Sequence, residues 1–368
     1  MASENKNGKI FISAGDLSGD IHAANLVREI KKACPSCFIT AEGGDNLKAV
    51  CDEFFADIVN INAFGFLPIR QFFFLKKLLK KLELYFQTQK PDKVILVDYY
   101  GFHIHAARAA AKLNIPLYYY ISPQVWASRK GRIKKLAAVV KKMLVILPFE
   151  EVLYKRAGVD AVFVGNPLID IVPQKDIKFQ DEVCPNIAPV IGLFPGSRIS
   201  AIEKHAPILL ETAKILREKI NAKFILFSAN KNYDYYSLPN YIELEENNSW
   251  EKRKSLDFAI CPSGTVSLEN LILGVRMAVI YKLSYFNYFV IRAIIKVKYI
   301  TIANILANKN IVPELIQFNA TPKKIAETVI EQLKPENYNR QLKEFLIIRK
   351  TLGESGVSKR AAEIILKG

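Results

Sequence analysis

The residues best placed to do chemistry in this 368-residue chain gather at turns that follow short apolar runs. The first turn is Gly15-Asp16-Leu17-Ser18-Gly19-Asp20, entered from Ile10-Phe11-Ile12 and leading into a helix-like pattern. A dinucleotide fingerprint needs G-x-G-x-x-G, whereas here Gly15 and Gly19 stand apart with Asp16, Ser18 and Asp20 around them. Two carboxylates beside a helix start would repel a pyrophosphate but suit sugar hydroxyls, so the turn reads as a small-ligand site. A phosphate site has to lie elsewhere. The second turn carries Asp98, at the carboxyl end of "KVILVD" (93–98). It is a candidate general base; the alternative is that it caps the turn or orients a hydroxyl. His103 and His105 stand in reserve. Their H-x-H spacing would put both on one side of an extended segment, and two ligands alone make a poor metal site. His22 and His205 read as helix-surface or packing residues.

The phosphate chemistry falls in the second half of the chain. "IGLFPGSR" ends an apolar run in Gly196, Ser197 and Arg198 before a long amphipathic pattern. Gly196 permits a close turn, Ser197 offers a hydroxyl, and the Arg198 guanidinium presents a planar fork suited to phosphate oxygens. In "CPSGTVSLE", Ser263-Gly264-Thr265 can open a helix whose free N–H groups form an anion site. Glu269, one turn on, cannot serve phosphates but can accept hydrogen bonds from a ribose diol. Asn304 is a candidate for the nucleoside or the diphosphate, with an ordinary turn asparagine as the alternative. Together these describe a nucleoside diphosphate site. No histidine, cysteine or carboxylate cluster suggests a metal, and no cofactor is expected.

The elements that must hold these turns are short apolar runs alternating with helix-length amphipathic segments. Nine runs read as strands: 9–13, 93–98, 117–122, 142–148, 161–165, 190–196, 223–228, 258–264 and 277–281. Runs apolar throughout and separated by helices indicate parallel strands covered on both faces. The α/β pattern stops in the proline- and charge-rich stretch 170–190 and restarts at Val190, which divides the chain into two doubly wound halves. The end of the chain reads as two helices hinged at Gly353–Gly356.

A formal net charge of +16 calls for an anionic partner: nucleic acid, phospholipid or a phosphorylated substrate. No interleaved aromatic and basic module favours nucleic acid. The five scattered cysteines argue against a disulfide framework. Cys34-Pro-Ser-Cys37 has C-x-x-C spacing, but no second pair completes a metal site. No apolar signal region opens the chain, and no run approaches the roughly 20 apolar residues of a membrane span, so a cytoplasmic protein is expected. The segment 63–86 is amphipathic, with Phe72, Leu75, Leu78, Leu79, Leu82 and Phe86 on one helical face and Lys76, Lys77, Lys80 and Lys81 roughly opposite. Such a helix can lie in a membrane interface, with Phe72, Phe73, Leu75, Leu79 and the four lysines as contacts. The segment 284–299 is a second candidate. An ordinary packed helix with a solvated lysine face is the alternative.

"SAGDLSGD", "YYISPQVWA…RIKKL", "VGNPLID", "LFPGSR", "SGTVSLE" and "NILANKNIVPELIQ" occur in the order found in the lipid-A-disaccharide synthase family, which the chain resembles from about residue 9 to about residue 317. The resemblance implies a GT-B fold, α/β, with two doubly wound Rossmann-like domains facing a central cleft. Their expected bounds are 1–172 for an acceptor and membrane-associated domain and 173–350 for a UDP-sugar domain. Residues 351–368 would form a C-terminal helix packing back on the first. It implies an inverting transfer from UDP-2,3-diacylglucosamine to 2,3-diacylglucosamine 1-phosphate (lipid X), giving lipid A disaccharide 1-phosphate and UDP without a metal. It also implies peripheral association with the inner face of the inner membrane, and it leaves room for a homodimer. On this reading Gly15, Asp16, Ser18, Gly19 and Asp20 belong to the acceptor side. Asp16 stands where the family usually has Glu, Gly101 replaces a second acidic residue after Asp98, and Ile302-Ala303-Asn304 replaces the usual L-P-N. The rival readings are another UDP-sugar enzyme of this fold (a peptidoglycan GlcNAc-transferase or a UDP-GlcNAc 2-epimerase) and a basic membrane-surface protein without catalysis.

Overall fold

The structure is a computed structural model that describes residues 8–59, 68–124, 131–174, 188–230, 233, 235, 238–284, 288 and 298–368. The whole of 60–67, most of 285–297 and the middle of the 170–190 divide lie outside these residues, as does the side chain of Phe72. Two compact units emerge: Met1–Pro167 together with Leu352–Gly368, and Leu168–Thr351.

All nine apolar runs form strands. In the first unit β1 (Lys9–Ala14), β2 (Phe38–Gly43), β3 (Glu53–Asp57), β4 (Lys93–Val97), β5 (Leu117–Tyr120), β6 (Lys142–Val145) and β7 (Ala161–Phe163) make one sheet, ordered 3-2-1-4-5-6-7. In the second unit β8 (Val190–Leu193), β9 (Lys223–Phe227), β10 (Ile242–Glu245), β11 (Phe258–Pro262), β12 (Met277–Tyr281) and β13 (Glu314–Ile316) are ordered 10-9-8-11-12-13. Every pairing is parallel. Counted from its own first strand, each sheet therefore has the doubly wound order 3-2-1-4-5-6, and ligands of such sheets bind where the winding reverses, at the strands' carboxyl ends. That point lies between β1 and β4 in one unit and between β8 and β11 in the other.

Both faces of the first sheet are covered, which is why its strands are apolar without alternation. Phe11, Val94, Leu96 and Tyr119 pack on one side with Leu82, Phe86 and Ala106 from the helices Pro68–Gln89 and Tyr100–Lys112. Ile12, Ile95, Val97 and Tyr120 pack on the other with Leu26 and Val27 from the helix Leu17–Ala33. Val357, Ala361, Ala362 and Ile365 of the terminal helix Val357–Lys367 join that second face. Gly353 and Gly356, both at positive φ, separate this helix from the preceding one, Pro335–Thr351. Lys93 Nζ donates to the carbonyls of Ile365 and Leu366 at 2.6 and 3.0 Å, satisfying acceptors that a helix end leaves open.

Two expectations are corrected. The apolar face of helix Pro68–Gln89 turns inward. Leu78, Leu82 and Phe86 are core residues, and Leu75 and Leu79, partly buried, pack against them. Lys76, Lys77, Lys80 and Lys81 are exposed, and so are Phe73 (63%), Phe74 (37%) and Leu84 (60%). Among the described residues no helix is long and apolar enough to cross a membrane. The second correction concerns the cysteines: Cys34 and Cys37 are joined by a disulfide across the turn before β2. It is a local bond of three-residue separation, while Cys51 and Cys261 are free.

Candidate functional site

In the first unit the parallel register sets Ala14 of β1 beside Val97 of β4, so the two chemistry-bearing turns leave the sheet side by side. They touch: a Cβ placed on Gly15 would sit 2.1 Å from the Tyr99 ring, so only glycine fits there. Asp16 is half-buried and N-caps helix Leu17–Ala33, its Oδ1 accepting the Gly19 N–H at 2.7 Å. Asp98 and Tyr99 both take left-handed backbone, φ 49° and 48°, which costs energy for residues other than glycine. The fold compensates at the Asp98 carbonyl, which accepts from His103 Nδ1 at 2.8 Å and from the Tyr119 hydroxyl.

Burial pushes the Asp98 carboxyl up to about 7, and the negative charges of Asp16 and Glu150 add to the shift while the Tyr99 N–H opposes it. Glu150 is itself buried, accepting from Ser122 Oγ at 2.7 Å and from the Leu147 N–H at 3.2 Å. A carboxyl poised near neutrality at a switch point is suited to proton transfer.

Two sequence readings change here. Asp20 is fully buried and its carboxylate is spent, accepting from the N–H groups of Gly44, Asn46 and Leu47 and from Asn46 Nδ2. It anchors the helix Asp45–Lys48 and is not available to a sugar hydroxyl. His103 and His105 do not share a side, because the segment is helical and residues two apart diverge. His103 is buried and His105 is exposed. Ser18 is half-exposed and Gly19 packs beneath Asp16.

The second unit repeats the layout. β8 leads through Pro195 to Gly196 at φ 109°, and helix Ile199–Ile220 starts from Arg198, which is exposed and forms no ion pair among the described residues. His205 holds this turn. Its Nδ1 donates to the Pro195 carbonyl at 2.9 Å and its Nε2 accepts the Lys282 N–H at 3.2 Å, while burial keeps it below the usual imidazole range. The Ser197 carbonyl accepts from Asn230 Nδ2 at 2.8 Å.

After β11, Gly264 is the N-cap of helix Thr265–Leu273 and no side chain caps it. Gly264 and Thr265 are exposed, and a Cβ on Gly264 would meet nothing within 4 Å, so the helix start is open to an anion. Ser263 Oγ donates to the Ile300 carbonyl at 2.7 Å. Glu269 gives Oε2 to Arg253 Nη1 at 2.7 Å, which leaves Oε1 without a partner among the described residues.

Asn304 is a further correction. It is fully buried, its Nδ2 donates to the Val312 carbonyl and to Glu314 Oε1 (2.8 Å each), and its Oδ1 accepts the N–H groups of Ile311 and Val312 (2.9 Å each). It shapes the loop behind Ser263 and has nothing left for a nucleotide. Arg253, Glu314, Glu42 and Glu150 were not singled out by sequence. All are charged, and only their partners in the fold show their roles.

Two parallel doubly wound units with open turns at both switch points define the GT-B class of UDP-sugar enzymes. A solved structure described as the S. aureus MnaA-UDP co-structure has this fold, with a TM-score of 0.67 over 97% of this chain and 96% of its own, at 14% identity. The family model for lipid-A-disaccharide synthetase matches residues 10–366, and the chain belongs to that family. The lipid-A-disaccharide synthase of Syntrophus aciditrophicus is 36% identical over 97% of both chains. That of Geobacter metallireducens is 35% identical over 98% of this chain and 97% of its own.

Proposed function

We propose that the protein is an inverting glycosyltransferase that joins UDP-2,3-diacylglucosamine to 2,3-diacylglucosamine 1-phosphate, releasing lipid A disaccharide 1-phosphate and UDP. The observation that carries the mechanism is Asp98, a carboxyl held near neutrality at the first switch point. Its carboxylate takes the proton of the acceptor's 6-hydroxyl as that oxygen attacks the donor's anomeric carbon. The bond from that carbon to the diphosphate oxygen breaks, and UDP leaves with the electron pair. Asp16 and Ser18 hold acceptor hydroxyls beside the base, with Gly15 and Gly19 shaping the turn.

Arg198, the Gly196–Ser197 turn and the start of helix Thr265–Leu273, which no side chain caps, stabilise the charge growing on the diphosphate, with Ser263 fixing the turn. The free Oε1 of Glu269 accepts from the ribose. Both substrates are acylated, so the enzyme works at a membrane surface. Phe73 and the exposed lysines 76, 77, 80 and 81 suit the anionic inner face of the inner membrane.

The direct test is transfer by the purified protein supplied with both lipids. Asp98→Ala is expected to lower kcat by about 100-fold or more, the usual worth of a general base, and Arg198→Ala to weaken UDP binding measured by calorimetry. Because the acid form of Asp98 is favoured up to about 7, kcat/KM rises as pH passes through that value. An Asp98→Ala enzyme turning over normally would remove Asp98 as the base.

A further inference from the structure

Behind Asp98 lies a buried polar chain that the transfer mechanism does not use. Ser13 of β1 stands directly opposite Glu42 of β2 in the sheet register, and both are fully buried. Ser13 Oγ lies 2.7 Å from Glu42 Oε2 and 2.9 Å from His103 Nε2. His103, also fully buried, reaches the Asp98 carbonyl through Nδ1 at 2.8 Å. Four groups therefore line up from the sheet interior to the backbone of the base.

Counting hydrogens limits what this chain can be. A carbonyl oxygen only accepts, so His103 Nδ1 must carry a hydrogen. Ser13 has one hydrogen and faces two partners, Glu42 Oε2 and His103 Nε2. If Glu42 were ionised and Nε2 bare, both would require that hydrogen and one contact would fail. One extra proton repairs the chain. Placed on Glu42, it lets Glu42 donate to Ser13 and Ser13 donate to Nε2. Placed on Nε2, it lets His103 donate to Ser13 and Ser13 donate to the carboxylate.

We propose that Glu42, Ser13 and His103 form a one-proton relay that pins the left-handed main chain at Asp98, so that all three are positioning residues for the base. This rests on the reading of Asp98 as the base. Two further observations agree with the proton residing on Glu42. Its Oε1 has no hydrogen-bond partner among the described residues, an arrangement that a neutral acid tolerates far better than a buried anion. Burial also raises the Glu42 carboxyl to about 7, opposed by its bond to Ser13, and lowers His103 to about 4, opposed by its bond to the Asp98 carbonyl.

The other titratable groups packed around the relay leave this balance unchanged. On its face of the sheet they are Glu53 of β3, Tyr85 of helix Pro68–Gln89, Asp98 and Tyr99 of the turn, and Tyr119 of β5. Asp20 and His22 belong to helix Leu17–Ala33, which covers the opposite face. None of these is a cation that would ionise Glu42.

The experiment has two arms. In the folded wild-type protein, nitrogen NMR of His103 is expected to show a protonated Nδ1 at neutral pH. A bare Nδ1 would overturn the relay whatever the variants do. In the second arm, Ser13→Ala, His103→Phe and Glu42→Ala are expected to lower kcat by about 10- to 100-fold with little change in KM, the usual effect of misplacing a reacting group.

Glu42→Gln supplies a donor to Ser13 at every pH, so it should restore most of the loss seen in Glu42→Ala. It should also abolish the fall in kcat that loss of the Glu42 proton is expected to cause in the wild type on the alkaline side. Wild-type kcat in Ser13→Ala, or superimposable pH profiles for Glu42→Gln and wild type, would refute the proposal. If Asp98→Ala were fully active, the failure would lie with the base itself and not with the relay.

Discussion

Arg253 shows how a residue can be decisive and still go unnoticed in the sequence. It lies in "WEKRKS", a charge run that reads as a solvated helix face. In the structure it is fully buried, between the rings of Phe194 and Trp250 at 5.4 and 4.8 Å, with Nη1 on Glu269 and Nη2 on Asn270 Oδ1. No local pattern announces this, because what buries it comes from a strand end about sixty residues earlier. The same holds for Asn304 and Asp20. Their types fit ligand chemistry, but backbone N–H groups had already claimed their oxygens, from Gly44, Asn46 and Leu47 for Asp20 and from the nearby Ile311 and Val312 for Asn304. Asp98, Gly15 and Gly196 were legible because a strand end followed by a turn is a local signal. Arg253→Met is expected to cost about 2–4 kcal/mol, somewhat below a fully buried pair because Glu269 stays partly exposed. Urea unfolding measures that cost, and a raised donor KM would show that Glu269 had lost its aim.

At the scale of elements, the nine long apolar runs were readable and four strands were not. β2, β3, β10 and β13 carry Glu or Asp, and three of them are sheet edges where one flank needs no partner strand. The helix Pro68–Gln89 is the more instructive case. Its periodicity gave the helix and its two faces correctly, but periodicity cannot say what covers the apolar one, and here the sheet does. That separates two substitutions usually treated alike. Leu82→Ala removes a core side chain and should lose about 2–5 kcal/mol of stability in thermal or urea unfolding. Phe73→Ser lies outside the core and should leave stability within about 0.5 kcal/mol. It should also weaken sedimentation with anionic vesicles about 10-fold, the worth of removing one partly inserted aromatic ring. Unchanged vesicle binding would exclude Phe73 from the membrane face.

At the scale of the molecule, the repeated strand order explains why two unrelated-looking motif pairs have the same layout. Each pair flanks the reversal point of its own sheet. The doubly wound class was legible for the same reason, since buried parallel strands leave a long, regular trace. The path of the chain was less so, because one short helix after two glycines decides which unit the end joins. Removing residues 357–368 should bare Ile12, Val97 and Tyr120 of the first sheet while leaving the second unit's core intact. Hydrogen exchange would then show protection lost across β1, β4 and β5 and kept in β8 and β11. Equal loss in both sheets would contradict the division.

That return of the chain also bears on its synthesis. The second unit is one uninterrupted stretch, whereas the first is sewn shut by a segment that follows the whole of the second. The half begun first thus closes only after the other has been made, and its sheet waits, with part of one greasy side uncovered, until Val357–Ile365 has been synthesised. A chain stalled before Leu352 would present that surface to chaperones and proteases.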